Sequence, residues 1–460
     1  MKEYTPEYLE HIRRIIQAED KDQALKELAD LHPADIAELY QSLELDEAEF
    51  LFQLLDDDTA ADVLMELDED DRLKLISAMP AEEIAKQIDH LDTDDAVDLI
   101  QQLDEEEREE ILAHIDDVEQ AGDIIDLLKY DEDTAGGLMG TEMIVVNENW
   151  SMPECIKEMR MQAEEVDEIY YIYVVDNDYK LRGIFPLKKM ISHPSVSKIK
   201  HVMETDPVSV KADTPIDDVA LDFEKYDLVA MPVVDSIGRL LGQITVDDVM
   251  DRVRESSERD YQLASGISSD VDADDSILAQ TKARIPWMLI GIASGILASL
   301  ILSGFEAQLQ AVTALALFIP IIGGTGGNVG VQASAIVVQG LANGSLDIKE
   351  FSKQLGKEVL IGLLNATVIS GVILVYNLIM LPSELAVTLS VAVSLFIVVM
   401  FATLLGTIIP LTLEKLHINP ALATGPFIQI SNDIFGLIIY VGISTWFLHL
   451  FGVNGSAPYA

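Results

Sequence analysis

One carboxylate stands inside a long apolar run near the C-terminal end of the chain. The stretch PFIQISNDIFGLIIY, Pro426 to Tyr440, carries Asp433 as its only charge. An ionisable side chain in hydrocarbon is costly, and where one is kept it marks an ion path, a proton relay or a counter-charge for a ligand. Ser431 and Asn432 precede it, so this is a polar spot on an otherwise apolar helix. A second stretch, PIIGGTGGNVGVQ (Pro320 to Gln332), puts five glycines and a proline into thirteen residues. That composition weakens a helix. In a membrane it survives where backbone is buried in protein or faces water. Glycines such as Gly324 and Gly327 also let helices pack closely. Asn328 and Gln332 in the same stretch favour a pore-facing or pore-supporting role, and Asn432 joins them.

These residues belong to an apolar C-terminal part. Five long apolar runs fall at roughly 285–304, 311–340, 359–381, 385–413 and 421–451. Each reaches the ~20 helical residues that cross a hydrocarbon core. The second, fourth and fifth are longer and are expected to tilt, extend or break, the fifth at Gly425-Pro426. Asp433 then lies about 10 Å beyond that break, inside the membrane. Lys349, Lys353 and Lys357 follow the second run, Lys415 follows the fourth, and Lys282 and Arg284 precede the first. The turns around Glu306–Gln310 and Pro382–Glu384 have no Lys or Arg. The positive-inside rule then puts the N-terminal part in the cytosol and the C-terminus outside, in a multi-pass plasma-membrane protein.

Charge divides the same way. The chain has 80 acidic and 30 basic residues, a formal net charge of -50, yet only seven acids and four bases lie from Ile285 onward. The acidic half repels nucleic acid and anionic lipid and attracts cations. The one cysteine, Cys155, allows no intramolecular disulfide, which suits a reducing compartment. The N-terminal MKEYTPEYLEHIRR has no apolar core and does not read as a signal peptide.

Within the acidic half, Leu31, Leu43, Leu55, Leu67, Met79, Leu91 and Leu103 recur every 12 residues. Acid pairs such as Asp46-Glu47, Asp70-Asp71 and Asp94-Asp95 follow, at what would be the first turn of one short helix per unit. Stacked units make an acidic α-solenoid over 1–133. Next come two similar β-rich stretches. Val174-Val175-Asp176, Leu181 and Gly183 align with Val233-Val234-Asp235, Leu240 and Gly242 at an offset of 59 residues. They resemble a tandem pair of CBS domains, an α+β regulatory module, with units at 137–200 and 201–255. A connecting, plug-like helix is expected over 256–284 and a five-helix transmembrane domain over 285–460.

This order of parts, with PIIGGTGGNVGVQ in the second span and the lone Asp433 in SNDIFGLIIY of the fifth, resembles the MgtE family of magnesium channels over nearly the whole chain. The resemblance implies a homodimer with its pore on the two-fold axis. Asp433 of both subunits would then face one hydrated Mg²⁺. That suits a cation that sheds water reluctantly and is held by one or two carboxylates. The backbone near Gln429, one turn earlier, would add a carbonyl. The resemblance also implies cytosolic Mg²⁺ sites that lock the channel, at positions matching Asp62, Asp94 and Asp98 in the solenoid and Asp227, Asp248 and Asp251 in the second CBS unit. Asp94 and Asp98, four apart, share a helix face, as do Asp248 and Asp251, three apart. In HINPAL, Asn419 stands where an acid is expected, so a cation site there would be weaker or absent. No protein partner beyond a second copy is implied.

The rival reading is a CBS-regulated, proton-coupled transporter of another solute, with Asp433 as its protonatable group. Two pseudo-symmetric halves would be expected of it, and five spans show no such repeat. An enzyme is not indicated: H-E-x-x-H and G-x-S-x-G are both absent.

Overall fold

The computed structural model describes residues 5–29, 31–163, 166, 168–192, 197–269, 271–273, 275–346, 351–380 and 385–452. Lys349, the Pro382–Glu384 turn and the C-terminal end used for orientation lie outside them. Two compact units divide the chain, Met1–Val253 and Arg254–Ala460.

The first unit opens with α1 (Pro6–Gln17), α2 (Lys21–Leu28), α3 (Pro33–Gln41), α4 (Leu45–Phe52), α5 (Asp57–Glu66), α6 (Glu69–Ser77), α7 (Ala81–Ile88), α8 (Thr93–Gln101), α9 (Glu105–Leu112) and α10 (Val118–Leu127). From α3 to α9 each helix starts 12 residues after the last. The acid pairs fall in the first turns, where the dipole favours them, and Glu44/Glu47 and Asp104/Glu107 form capping boxes. The eighth position of every unit is buried: Leu39, Leu51, Val63, Leu75, Gln87, Leu99 and Ile111. Packing alternates. Helix α3 lies on α5, α5 on α7 and α7 on α9, while α4 lies on α6 and α8 on α10. The solenoid therefore has two layers.

Two small sheets follow. In the first, β1 (Ile144–Asn147) pairs in parallel with β2 (Ile172–Val175), and β2 pairs antiparallel with β3 (Leu181–Phe185). Between β1 and β2 runs α11 (Met152–Gln162); α12 (Leu187–Ser192) and the edge strand β4 (Glu204–Thr205) complete the unit. In the second, β5 (Val210–Lys211) pairs in parallel with β6 (Ala230–Val234), which pairs antiparallel with β7 (Leu240–Thr245). The helix between them is α13 (Ile216–Tyr226). A register shift falls at Val174/Val175 in one sheet and at Val233/Val234 in the other. The 59-residue offset is thus a structural duplication down to its bulge. Val210, Val219, Phe223, Met231, Val233 and Ile244 of the second sheet layer share one apolar core with the solenoid.

The connecting segment differs from the single helix expected over 256–284. Helix α14 (Val246–Ser265) starts ten residues sooner and stops before Gly266, whose φ of +81° is left-handed. A glycine carries that conformation without strain, and it ends the helix. Residues 277–284 instead open the first membrane helix.

That helix is α15 (Ile277–Gly304); after the short α16 (Glu306–Ala311) come α17 (Ile319–Ala342), α18 (Phe351–Met380), α19 (Leu385–Lys415) and α20 (Gly425–Leu450). Five of these are long and apolar enough to cross a membrane. Two spans begin with a turn of 3₁₀ helix, Thr313–Phe318 before α17 and Pro420–Ala423 before α20. The break expected at Gly425-Pro426 is there, with Pro426 in the first turn of α20. The glycine-rich stretch is not broken. Pro320 sits in the first turn of α17, where its missing N–H costs nothing, and the glycines lie inside a continuous helix. Helix α19 is central, burying Val391, Leu395, Val398, Val399 and Ala402 among others.

Candidate functional site

In the first unit, carboxylates gather where the solenoid meets the CBS pair. Asp92 is the N-cap of α8, so Asp94 and Asp95 fall in its first turn. Opposite, Gly140 exchanges two backbone hydrogen bonds with Gln243 of β7, each 2.9 Å. That holds the segment carrying Thr141 and Glu142. Buried Thr93 clamps it: its N–H and hydroxyl donate to the Glu142 carboxylate at 3.1 and 3.0 Å, and Thr141 N–H donates to Thr93 Oγ1 at 2.9 Å. Carboxylate oxygens of Asp92, Asp94 and Glu142 come within 4.8 Å of one another, enough to hold a cation.

Electrostatics there favour a positive charge. Burial, then Asp248, Asp95, Glu142 and Asp92, holds the Asp94 carboxyl well above the usual carboxylate range. Asp95 is pushed up to about 7, by burial first and then by Asp248, Asp92 and Asp98, against Arg72. Asp248, in the first turn of α14, is raised by burial and by Asp247 and Asp251, although Thr245 N–H and hydroxyl donate to it. Of the expected cytosolic positions, Asp94, Asp98, Asp248 and Asp251 therefore share one field. Asp62 is exposed on α5, and Asp227 is exposed at the left-handed end of α13. Asp92, Asp95 and Glu142 are members that sequence reasoning missed. Asp92 and Asp95 adjoin an expected ligand, but nothing local marks Glu142, which comes from nearly fifty residues away.

In the second unit α17 and α20 cross with their polar and glycine residues together. A Cβ on Gly323 would stand 3.2 Å from Asp433 Oδ1, and one on Gly327 would stand 3.0 Å from the Gln429 amide. At Gly330 a Cβ would collide with the Asn432 amide. The bare backbone of α17 is thus a track on which Asp433, Gln429 and Asn432 lie. Among the expected pore-supporting residues, Gly327 and Asn432 are at this contact. Gly324 has open space beside it, and Asn328 and Gln332 are exposed, one turn apart on another face of α17. Gly323 and Gly330 join Gly327 at this contact, because helical phase decides which glycines meet α20. Asn432 is 1% exposed with neither amide atom hydrogen-bonded. The broken starts are pinned: Ser334 Oγ donates to Ala423 O at 2.8 Å, and Tyr440 OH to Leu315 O at 2.7 Å. Sequence reasoning also passed over Glu358, buried in α18, which accepts from Gln354 Nε2 at 3.2 Å.

A membrane transporter with an N-terminal soluble half is the class these features define. A family model described as a divalent cation transporter matches residues 319–443. The MgtE intracellular N domain matches 31–133, and the CBS domain matches 135–195 and 199–255. The magnesium transporter MgtE of Thermus thermophilus is 36% identical over 330 residues, 69% of this chain and 71% of that one. Its counterpart in Bacillus subtilis is 32% identical over 323 residues, 70% and 71% of the two chains. The solved cytosolic domain of the Mg²⁺ channel MgtE in complex with ATP is 30% identical, with a TM-score of 0.51 over 53% of this chain and 99% of that one. This chain belongs to the MgtE family of magnesium transporters, and it is not an enzyme.

Proposed function

We propose that this transporter is a Mg²⁺-selective channel that imports magnesium into the cytosol and is shut by cytosolic Mg²⁺. The observation that carries the reading is Asp433, a carboxylate on a membrane-spanning helix laid against the glycine track of α17. Two copies on the axis of a homodimer would offer two carboxylates to one hydrated ion. Mg²⁺ keeps its waters under such a load, which suits permeation better than a full cage would. The Gln429 backbone carbonyl would be a further ligand.

The closing sites are assigned to Asp94, Asp98, Asp248 and Asp251, with Asp62 and Asp227 at the periphery. Like charges crowd Asp94, Asp95 and Asp248, and a bound divalent cation would relieve them. Mg²⁺ that binds the compact arrangement better than the open one shifts the population toward it. The N-terminal half would then be cytosolic and the C-terminus outside, an orientation that the lysine distribution supports.

The test is Mg²⁺ flux into proteoliposomes holding the purified protein. Asp433→Ala and the near-isosteric Asp433→Asn should both abolish flux while leaving the thermal unfolding profile unchanged. Normal flux in Asp433→Asn would remove the pore assignment.

A further inference from the structure

Resting on the reading that α20 lines the cation path, we infer that Asn419 is a positioning residue that fastens the connecting helix to the start of α20 without a cation. Asn419 ends the loop between α19 and α20 and caps the 3₁₀ turn Pro420–Ala423. Its Oδ1 accepts from Ala421 N–H at 2.8 Å, and its Nδ2 donates to Asp260 Oδ1 on α14 at 2.8 Å. The two bonds fix the amide's orientation. Turned over, it would set NH₂ against N–H and oxygen against carboxylate.

The contact continues into backbone. A Cβ on Gly266, just past α14, would stand 2.6 Å from Pro426 Cγ, and one on Gly425 would collide with Ala264 O. Both glycines have positive φ, +81° and +31°. The end of α14 thus lies directly on the Gly425-Pro426 break from which α20 departs toward Asp433, and Asn419 ties the helix down beside it.

The chemistry of residue 419 decides what this contact needs. A carboxylate there could cap Ala421 equally well. It would also face Asp260 with like charge and would hold it only through a bridging cation. The amide supplies a donor to Asp260 instead, so the fastening stands with no metal present. The mouth of the path is then partly closed even when cytosolic Mg²⁺ is low, and Mg²⁺ sensing rests on the acids of the first unit.

The experiment uses the full chain with spin labels at Ser256→Cys and Leu416→Cys, read by pulsed EPR distances in chelator and in Mg²⁺, beside flux from the unlabelled variants. Asn419→Ala and Asp260→Ala should each broaden the distance distribution in chelator. They should raise low-Mg²⁺ flux on the order of two- to tenfold, the scale of one hydrogen bond. The double variant should do no more than either single one. Asn419→Asp should behave as Asn419→Ala in chelator and return to a narrow distribution in Mg²⁺, which a merely structural asparagine would not produce. Wild-type distances and flux for Asn419→Ala in chelator would overturn the proposal, as would Asn419→Asp showing no Mg²⁺-dependent recovery. A wild type with no flux would instead sink the pore reading, and the distances would still report on the fastening.

Discussion

The charge on a few aspartates sets how this protein should respond to pH. Burial and the neighbouring acids push the Asp95 carboxyl up to about 7 from an ordinary value of 3.8. A carboxyl raised on folding leaves its stability intact at acid pH and withdraws it as pH climbs through the folded value. In chelator the thermal unfolding midpoint should therefore fall by several degrees between pH 5.5 and pH 8. Saturating Mg²⁺ should close most of that gap by neutralising the cluster, as any ligand of the folded state does. A midpoint that is flat in chelator would contradict the crowding seen at Asp94 and Asp95. At this scale the sequence was partly legible. Asp433 announces itself, because a lone charge in an apolar run has a cost that shows in one dimension. Glu142 does not, since its place beside Asp92 and Asp94 depends on the Gly140 and Gln243 pairing. Asn419 could be seen as a departure from an acid, but its partner Asp260 lies 159 residues away.

Helices obey the periods their sequences carry, with exceptions that have local causes. The seven unit starts could be read directly, since leucine spacing and first-turn acids point to the same places. The limits of α14 could not, because its end is set by the conformation of Gly266. In α17 glycine content signals close packing, but helical phase assigns the contacts. Gly330 touches Asn432 of α20, and a Cβ on Gly406 of α19 would collide with the Gly330 carbonyl. Gly330→Ala should therefore cost about 1–3 kcal/mol or more by overpacking. Gly324→Ala, with open space beside it, should be stabilising by about 0.5–1 kcal/mol from helix propensity. Thermal unfolding of both variants in detergent measures the difference. Equal effects would mean that the track is misplaced on α17.

For the whole molecule the proposal to test is that the acidic half governs the membrane half. Neutralising Asp94, Asp98, Asp248 and Asp251 together to Asn should leave flux running at millimolar cytosolic Mg²⁺, because no cation-dependent compaction would remain. Unchanged inhibition would reduce these acids to solvated charge. The order of parts was legible because composition changes sharply at each junction. The two-layered build of the solenoid was not, as a single twelve-residue period hides it. Neighbouring units belong to opposite layers, and each helix rests on the one two units away. The smallest length that evolution or an engineer can remove or duplicate is therefore a pair of units. Losing one would move every later helix to the wrong side and carry Asp94 away from Glu142, whereas losing two would shorten the stack and leave the remaining partners in step.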